Sequence, residues 1–211
     1  MARHVAGILG GNTYGVAKKT TIIGVKVFDG EIAKGADVMA GFDWAVNDIV
    51  SKKRAETAVV NLSLGGLGTN IWDNAITEAW KQGVLCVAAS GNSGDDAADY
   101  SPPRSPEVLT VGNIQKNDTR EPTSNYGSAV DIFAAGTDIL SAYSTSDDAT
   151  RLNTGTSMSA PYVVGLVSYF RGLEGPSSAA AVKARVLQLA TPGRVTDTRG
   201  LANLIAYNEN K

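Results

Sequence analysis

Three stretches of this chain are apolar without alternation: "TTIIGVKVFDG", "AVVNLSLGG" and "VLCVAAS". A strand with one wet face alternates apolar and polar residues. A strand that does not alternate is buried on both faces. Segments of helical period stand between and after these runs. In "ADVMAGFDWAVNDIVSKK", residues Val38, Phe42, Ala45, Val46 and Ile49 fall on one face, and Asp37 is placed to cap the start. "NIWDNAITEAWKQG" is a second helix, stopped by Gly83. Short runs at "VLTVGNI", "AVDIFAAG" and "TDILSAYS" read as further strands. Helices follow from about Thr156 to Leu173 and in "SSAAAVKARVLQLAT", and "LANLIAY" closes the chain as an edge strand. Doubly buried strands alternating with helices predict an α/β fold, a mostly parallel sheet covered by helices on both faces. Such sheets carry their sites beyond the carboxyl ends of the strands. The glycine clusters after "NLSL" and after "VAAS" sit at two of those ends.

The 211 residues contain no internal repeat and no linker rich in Pro or Ser, which predicts one domain over 1–211. Apolar residues at 43% and charged residues at 19% fit an ordinary globular protein. A net charge of −2 gives no electrostatic case for nucleic acid or an anionic membrane. No apolar run approaches the length of a membrane span. The first residues lack the charged, apolar, small-residue order of a signal peptide. Cys86 is the one cysteine, so no internal disulfide forms; in "GVLCVAAS" it reads as a small buried hydrophobe.

Chemistry concentrates in three motifs. In "GTSMSAP", Ser157 stands where an apolar helical pattern begins. It reads either as a helix cap or as a nucleophile on a rigid element, where free backbone N–H groups favour developing negative charge. In "VAASGNSG", Asn92 follows a buried strand between Gly91 and Gly94. It reads either as a turn residue or as a neutral donor for an oxyanion. In "NLSLGG", Ser63, Leu64 and Gly65 end a strand whose open edge is suited to an extended peptide.

In this order the motifs resemble the subtilisin-like serine proteases (the subtilases, peptidase S8), and in detail their fungal proteinase K-like branch. The likeness extends over nearly the whole chain. "HVAGILGGNTYGVAKKT" resembles the helix after the family's catalytic histidine, "SNYGSAVDIFAAGTDILS" the block after the oxyanion segment, and "LIAYN" the terminal strand. The resemblance implies a serine endopeptidase acting on peptide or protein, in which Ser157 matches the nucleophile. Asn92 matches the oxyanion-hole side chain, with the Ser157 backbone N–H as second donor. Ser63, Leu64 and Gly65 match one wall of the first specificity pocket; Ala89, Ser90 and Gly91 match the other. The loop from Glu31 to Gly35 matches the strand on the substrate's other side. No cofactor is required, but Asp131 with the carbonyls of Pro106 and Val108 matches a structural calcium site of this branch; Asp131 reads equally as a solvated turn residue. Relatives are usually secreted or vacuolar. Two departures affect specificity: Tyr162 follows Pro161 where the family commonly has histidine, and Ser90 replaces a usual glycine.

The resemblance also implies a gap. The family signature His-Gly-Thr-His-Val-Ala-Gly aligns with Met1-Ala2-Arg3-His4-Val5-Ala6-Gly7. His4, the only histidine, therefore matches the second histidine of the signature, and Met1 falls on the catalytic one. The family's aspartate lies earlier, on a strand without counterpart here. His4 lies about one helical turn beyond the catalytic position and reads as a partly buried histidine satisfied by backbone. The expectation is a subtilisin-like fold lacking its N-terminal strands, inactive or very weak alone. The alternatives are a binding or effector module that oligomerises, and one half of a split protease. Exposed strand edges predict a homo-oligomer or a complementing chain.

Overall fold

A computed structural model of the chain describes residues 1–30, 32–200 and 203–209. Its helices are α1 (Ala2–Gly10), α2 (Gly35–Ser51), α3 (Asn70–Lys81), α4 (Thr156–Glu174) and α5 (Ala179–Leu189). Its strands are β1 (Val59–Leu62), β2 (Gly66–Leu67), β3 (Leu85–Ala89), β4 (Tyr100–Ser101), β5 (Leu109–Ile114), β6 (Ile132–Ala135), β7 (Ile139–Ala142), β8 (Thr150–Asn153), β9 (Thr191–Pro192) and β10 (Leu204–Ile205).

No residue of β3 is more than 6% exposed, and its side chains divide by parity. Leu85, Val87 and Ala89 join β5, β6, α4 and α5 in one cluster; Cys86 and Ala88 join α2 and α3 in another. Alternation along a pleated strand thus buries both faces, as the unbroken apolar run requires. The six-stranded sheet has the order β1-β3-β5-β6-β10-β9 and is parallel except for the β10–β9 pair. The fold is the α/β arrangement expected, a mostly parallel sheet between helical layers. Among the described residues no helix is long and apolar enough to cross a membrane.

Three local expectations are corrected, and one strand pairs where no expectation placed it. "TTIIGVKVF" is not a strand: among the described residues 21–28 make no ladder hydrogen bonds. The stretch packs on α1 and α2 instead: a Cβ at Gly10 would lie 3.2 Å from Ile22 Cδ1, and one at Gly41 would lie 2.2 Å from Val27 Cγ1. It lacks a strand beside it, not apolar character. Asp37 is not the cap of α2; Lys34 holds that position, and Asp37 lies in the first turn, where a carboxylate favours the helix dipole. "LIAY" is interior to the sheet, because Thr191–Pro192 adds an outer antiparallel strand; Leu201 and Ala202 of the expected strand lie outside the described residues. "TDILSAYS" leaves the main sheet and pairs with β8, whose polar sequence "TRLN" gave no strand signal.

Cys86 is 2% exposed and its thiol is pushed up to about 12 by burial. Burial thus both disfavours the thiolate and shields the sulfur from reagent. Alkylation of native protein with iodoacetamide is therefore expected to proceed only at the rate of unfolding, and to become rapid in denaturant. Fast labelling of the native chain would contradict the burial of β3.

Candidate active site

The site forms where β1, β3 and α4 meet. Gly155 turns the chain into α4 at φ 146, a region L side chains rarely enter, and a Cβ there would lie 3.3 Å from Asn92 Oδ1. Thr156 comes next and is fully buried. Its backbone N–H donates to Asn92 Oδ1 at 2.8 Å, and its hydroxyl donates to the same oxygen at 3.0 Å. That hydroxyl also accepts the Gly91 N–H at 3.3 Å. With Oδ1 held by two donors, the Asn92 amide presents its NH₂ group outward. Among the described residues neither Asn92 Nδ2 nor the Ser157 backbone N–H has a hydrogen-bond partner. Both belong to the rim where a strand and a helix N-terminus converge.

Ser157 is half-buried, and its Oγ donates weakly to the Ser63 carbonyl at 3.4 Å. Ser63 Oγ donates back to the Ser157 carbonyl at 2.9 Å. That carbonyl is free because Pro161, four residues on, has no N–H to complete the helical bond. The "SMSAP" spacing therefore opens an acceptor at Ser157, and Ser63 fills it.

The two sequence-predicted walls are the continuations of neighbouring strands. Leu62 pairs with Ala88 in register, so Ser63–Gly65 and Ala89–Gly91 leave adjacent strands at the same end of the sheet. Ser63, Leu64 and Gly65 belong to no ladder, which leaves their backbone edge available. Ser90 is buried; its N–H donates to the Val111 carbonyl and its hydroxyl to the Asn125 carbonyl at 3.3 Å. Burial pushes the Tyr162 phenol up. Glu31, in the loop matched to the substrate's other side, lies outside the described residues.

Sequence reasoning missed Asn125. Its Oδ1 accepts the N–H groups of Ser93 at 2.9 Å and Asp95 at 3.2 Å, and its own N–H donates to the Gly91 carbonyl at 2.9 Å. It fixes the loop that carries Asn92. Gly91 at φ 109 makes room for it, since a Cβ there would fall 2.3 Å from Asn125 Nδ2. Its only signal was a place in "SNYGS", a polar turn like several others.

His4 is fully buried. Its Nε2 lies 3.0 Å from the Ile139 carbonyl and 2.9 Å from the Arg151 carbonyl. An Nε2–H donating to these two oxygens binds the imidazole to the β7–β8 hairpin, and Ser141 Oγ donates to the His4 carbonyl at 2.9 Å. Backbone thus holds the ring at Nε2, as expected, but the side chain is fully rather than partly buried and, among the described residues, its Nδ1 has no hydrogen-bond partner.

Asp131, Pro106 and Val108 do converge, and Lys183 Nζ stands among them. It donates to the Pro106 carbonyl at 2.9 Å and the Val108 carbonyl at 2.5 Å, and lies 3.7 Å from Asp131 Oδ2. Burial pushes the Asp131 carboxyl up, against the pull of Lys183 and the Thr110 N–H. Calcium needs six to eight oxygens at about 2.3–2.6 Å. An ammonium already bonded to two of the three candidate ligands does not fit that ion.

A subtilase family (peptidase S8) model matches residues 2–205. The chain is 52% identical over 205 residues to alkaline protease 1 of Aspergillus clavatus, covering 97% of this chain and 51% of that protein. It is 47% identical over 208 residues to an alkaline proteinase of Hapsidospora chrysogena, covering 98% and 52%. A crystal structure of a cold adapted subtilisin-like serine proteinase superposes with TM-score 0.91 at 35% identity, covering 99% of this chain and 74% of that one. The chain belongs to the subtilase family of serine proteases. It spans about half the length of the curated relatives it matches.

Thr156→Val removes the hydroxyl that Asn92 and Gly91 share, leaving the Gly91 N–H unpaired. A loss of about 1–3 kcal/mol in urea unfolding is expected, with faster amide exchange at Gly91. An unchanged midpoint would show that Asn92 is held by other means.

Proposed function

We propose that this chain carries the acyl-transfer elements of a serine endopeptidase: Ser157 as nucleophile, and Asn92 Nδ2 and the Ser157 N–H as the oxyanion hole. Ser63–Gly65 and Ala89–Gly91 form the walls that receive an extended peptide. The observation that carries this reading is the pair of unpartnered donors, one of them aimed by Thr156. Donors fixed in advance stabilise a developing oxyanion without reorganising during the reaction.

On its own the chain is a very poor protease in this reading. A hydroxyl nucleophile needs a base within hydrogen-bond reach. The one histidine is bound to the β7–β8 hairpin through Nε2. In subtilisin itself, loss of the histidine alone costs about 2 × 10⁶ in kcat. About 10³–10⁴ over water survives there, supplied by the oxyanion hole and binding. Hydrolysis of a chromogenic peptide is expected at least about 10⁴-fold below an ordinary kcat of about 10 s⁻¹. Asn92→Ala should lower the residue of activity by about 10²–10³, and His4→Ala should leave it unchanged in folded protein. A kcat within tenfold of about 10 s⁻¹ overturns the reading. Loss of residual turnover in His4→Ala would make His4 the base.

A second reading, of a module that associates, is favoured by one face. Ile22, Ile23, Val25 and Phe28 are 43%, 48%, 38% and 42% exposed, in a stretch with no ladder partner. Among the described residues β1 ends the sheet on one side, with no strand on its outer edge. Apolar side chains beside unpaired backbone invite an added strand. For the isolated chain we place a second copy there, since a two-fold pair is the commonest closed assembly. Light scattering over a concentration series is expected to give a dimer, and Ile23→Lys to give a monomer. A monomer at every concentration would remove this reading while leaving the catalytic one intact.

A further inference from the structure

The cradle formed by Pro106, Val108 and Asp131 joins the entries of two adjacent strands. The two carbonyls precede β5, and Asp131 precedes β6. Asp131 Oδ2 accepts the Thr110 N–H at 2.8 Å, and its own N–H donates to the Thr110 carbonyl at 3.0 Å. Two carbonyl dipoles and one carboxylate therefore point at a single position from the amino ends of adjacent parallel strands. Such convergence is unfavourable unless a cation or a set of donors stands at its centre.

The Lys183 ammonium stands there. It reaches in from α5, with its side chain 15% exposed and that of Asp131 30% exposed. Its charge balances the carboxylate, and two of its N–H donors meet the two carbonyls. We propose that Lys183 is a tethered replacement for a structural calcium ion, so that this chain holds the entries of β5 and β6 together without the metal.

The physical consequence concerns dependence on solution conditions. A dissociable ion stabilises a fold according to its free concentration. A cation carried on the chain is always present, and the helix that bears it becomes the fourth wall of the cradle. The two occupants exclude each other. A calcium ion at bonding distance from the Pro106 and Val108 carbonyls would overlap the ammonium, and their charges repel.

The test compares the wild-type chain with Lys183→Ala and Asp131→Asn, reading thermal unfolding in EDTA and in millimolar calcium, and calcium uptake by equilibrium dialysis. The wild-type chain is expected to have the same Tm in both solutions, with no uptake that Asp131→Asn removes. Lys183→Ala is expected to melt at least about 5 °C lower in EDTA, to take up one calcium, and to recover part of the lost Tm. The double variant should take up none. Calcium uptake by the wild-type chain that raises its Tm and is abolished by Asp131→Asn overturns the proposal, and that measurement stands even if Lys183→Ala does not fold. An unchanged Tm in Lys183→Ala, or a lowered Tm that calcium does not restore, also overturns it. In the latter case Lys183 would be an ordinary ion-pair partner.

Discussion

The structure rests on the double burial of β3. A strand packed on α4 and α5 through one set of side chains, and on α2 and α3 through the other, has no wet face along its length. Polar chemistry can appear only where it ends. Its continuation through Ser90 and Gly91 delivers Asn92 to the rim. The same packing aims α4. Val163, Val164, Val167 and Phe170 lie against the sheet, and the close approach of α1 at Gly165 fixes the helix from the other side. The helix N-terminus then has one place to go, beside Asn92. Site geometry is a consequence of how the core closes.

Local chemistry at the helix start completes that placement. A helix N-terminus leaves N–H groups without intrahelical partners. Here Thr156 gives its N–H to Asn92, and among the described residues the Ser157 N–H has no partner. Pro161 frees the Ser157 carbonyl, which Ser63 then binds. Ser157 is therefore held by its backbone to Ser63, at the exit of β1, and stands next to Thr156, which binds Asn92, with its hydroxyl only weakly engaged at 3.4 Å. Rigid support with an uncommitted reacting atom is what acyl transfer requires of a scaffold.

Much of this was legible because it depends on burial and on short-range rules. β1, β3, β5 and the helices announce themselves by apolar runs and helical period, and "GTSMSAP" by the serine, glycine and proline it places together. What failed depends on neighbours. Residues 21–28 have the composition of a buried strand, yet pairing needs a second edge that the described residues do not supply. The pairing of Thr150–Asn153 and Thr191–Pro192 comes from where the chain returns, not from propensity. Asn125 and Lys183 act across 34 and 77 residues, from the Gly91 carbonyl and the Pro106 carbonyl respectively. Neither carries a local signature.

Among the described residues, Lys183 is one of three buried or half-buried cations that bind backbone carbonyls from loops. Arg120, 2% exposed, donates to the carbonyls of Glu121, Pro122, Ser124 and Asp197, and to the Asp197 carboxylate at 2.8 Å. Arg171 joins the end of α4 to the carbonyls of Ala58 and Ser177. Burial pushes Arg171 down to about 10, against the pull of Glu56, so it remains charged at neutral pH. Carrying a charge into the fold costs desolvation, which only good geometry offsets. In each case the geometry comes from carbonyls of residues that lie outside the named strands. Parallel sheets generate such carbonyls wherever loops enter and leave strands. Arg171 and Lys183, each fixed at one end to a helix, meet two such carbonyls at once and tie the helical layer to the loops that enter the sheet, while Arg120 gathers four from a loop.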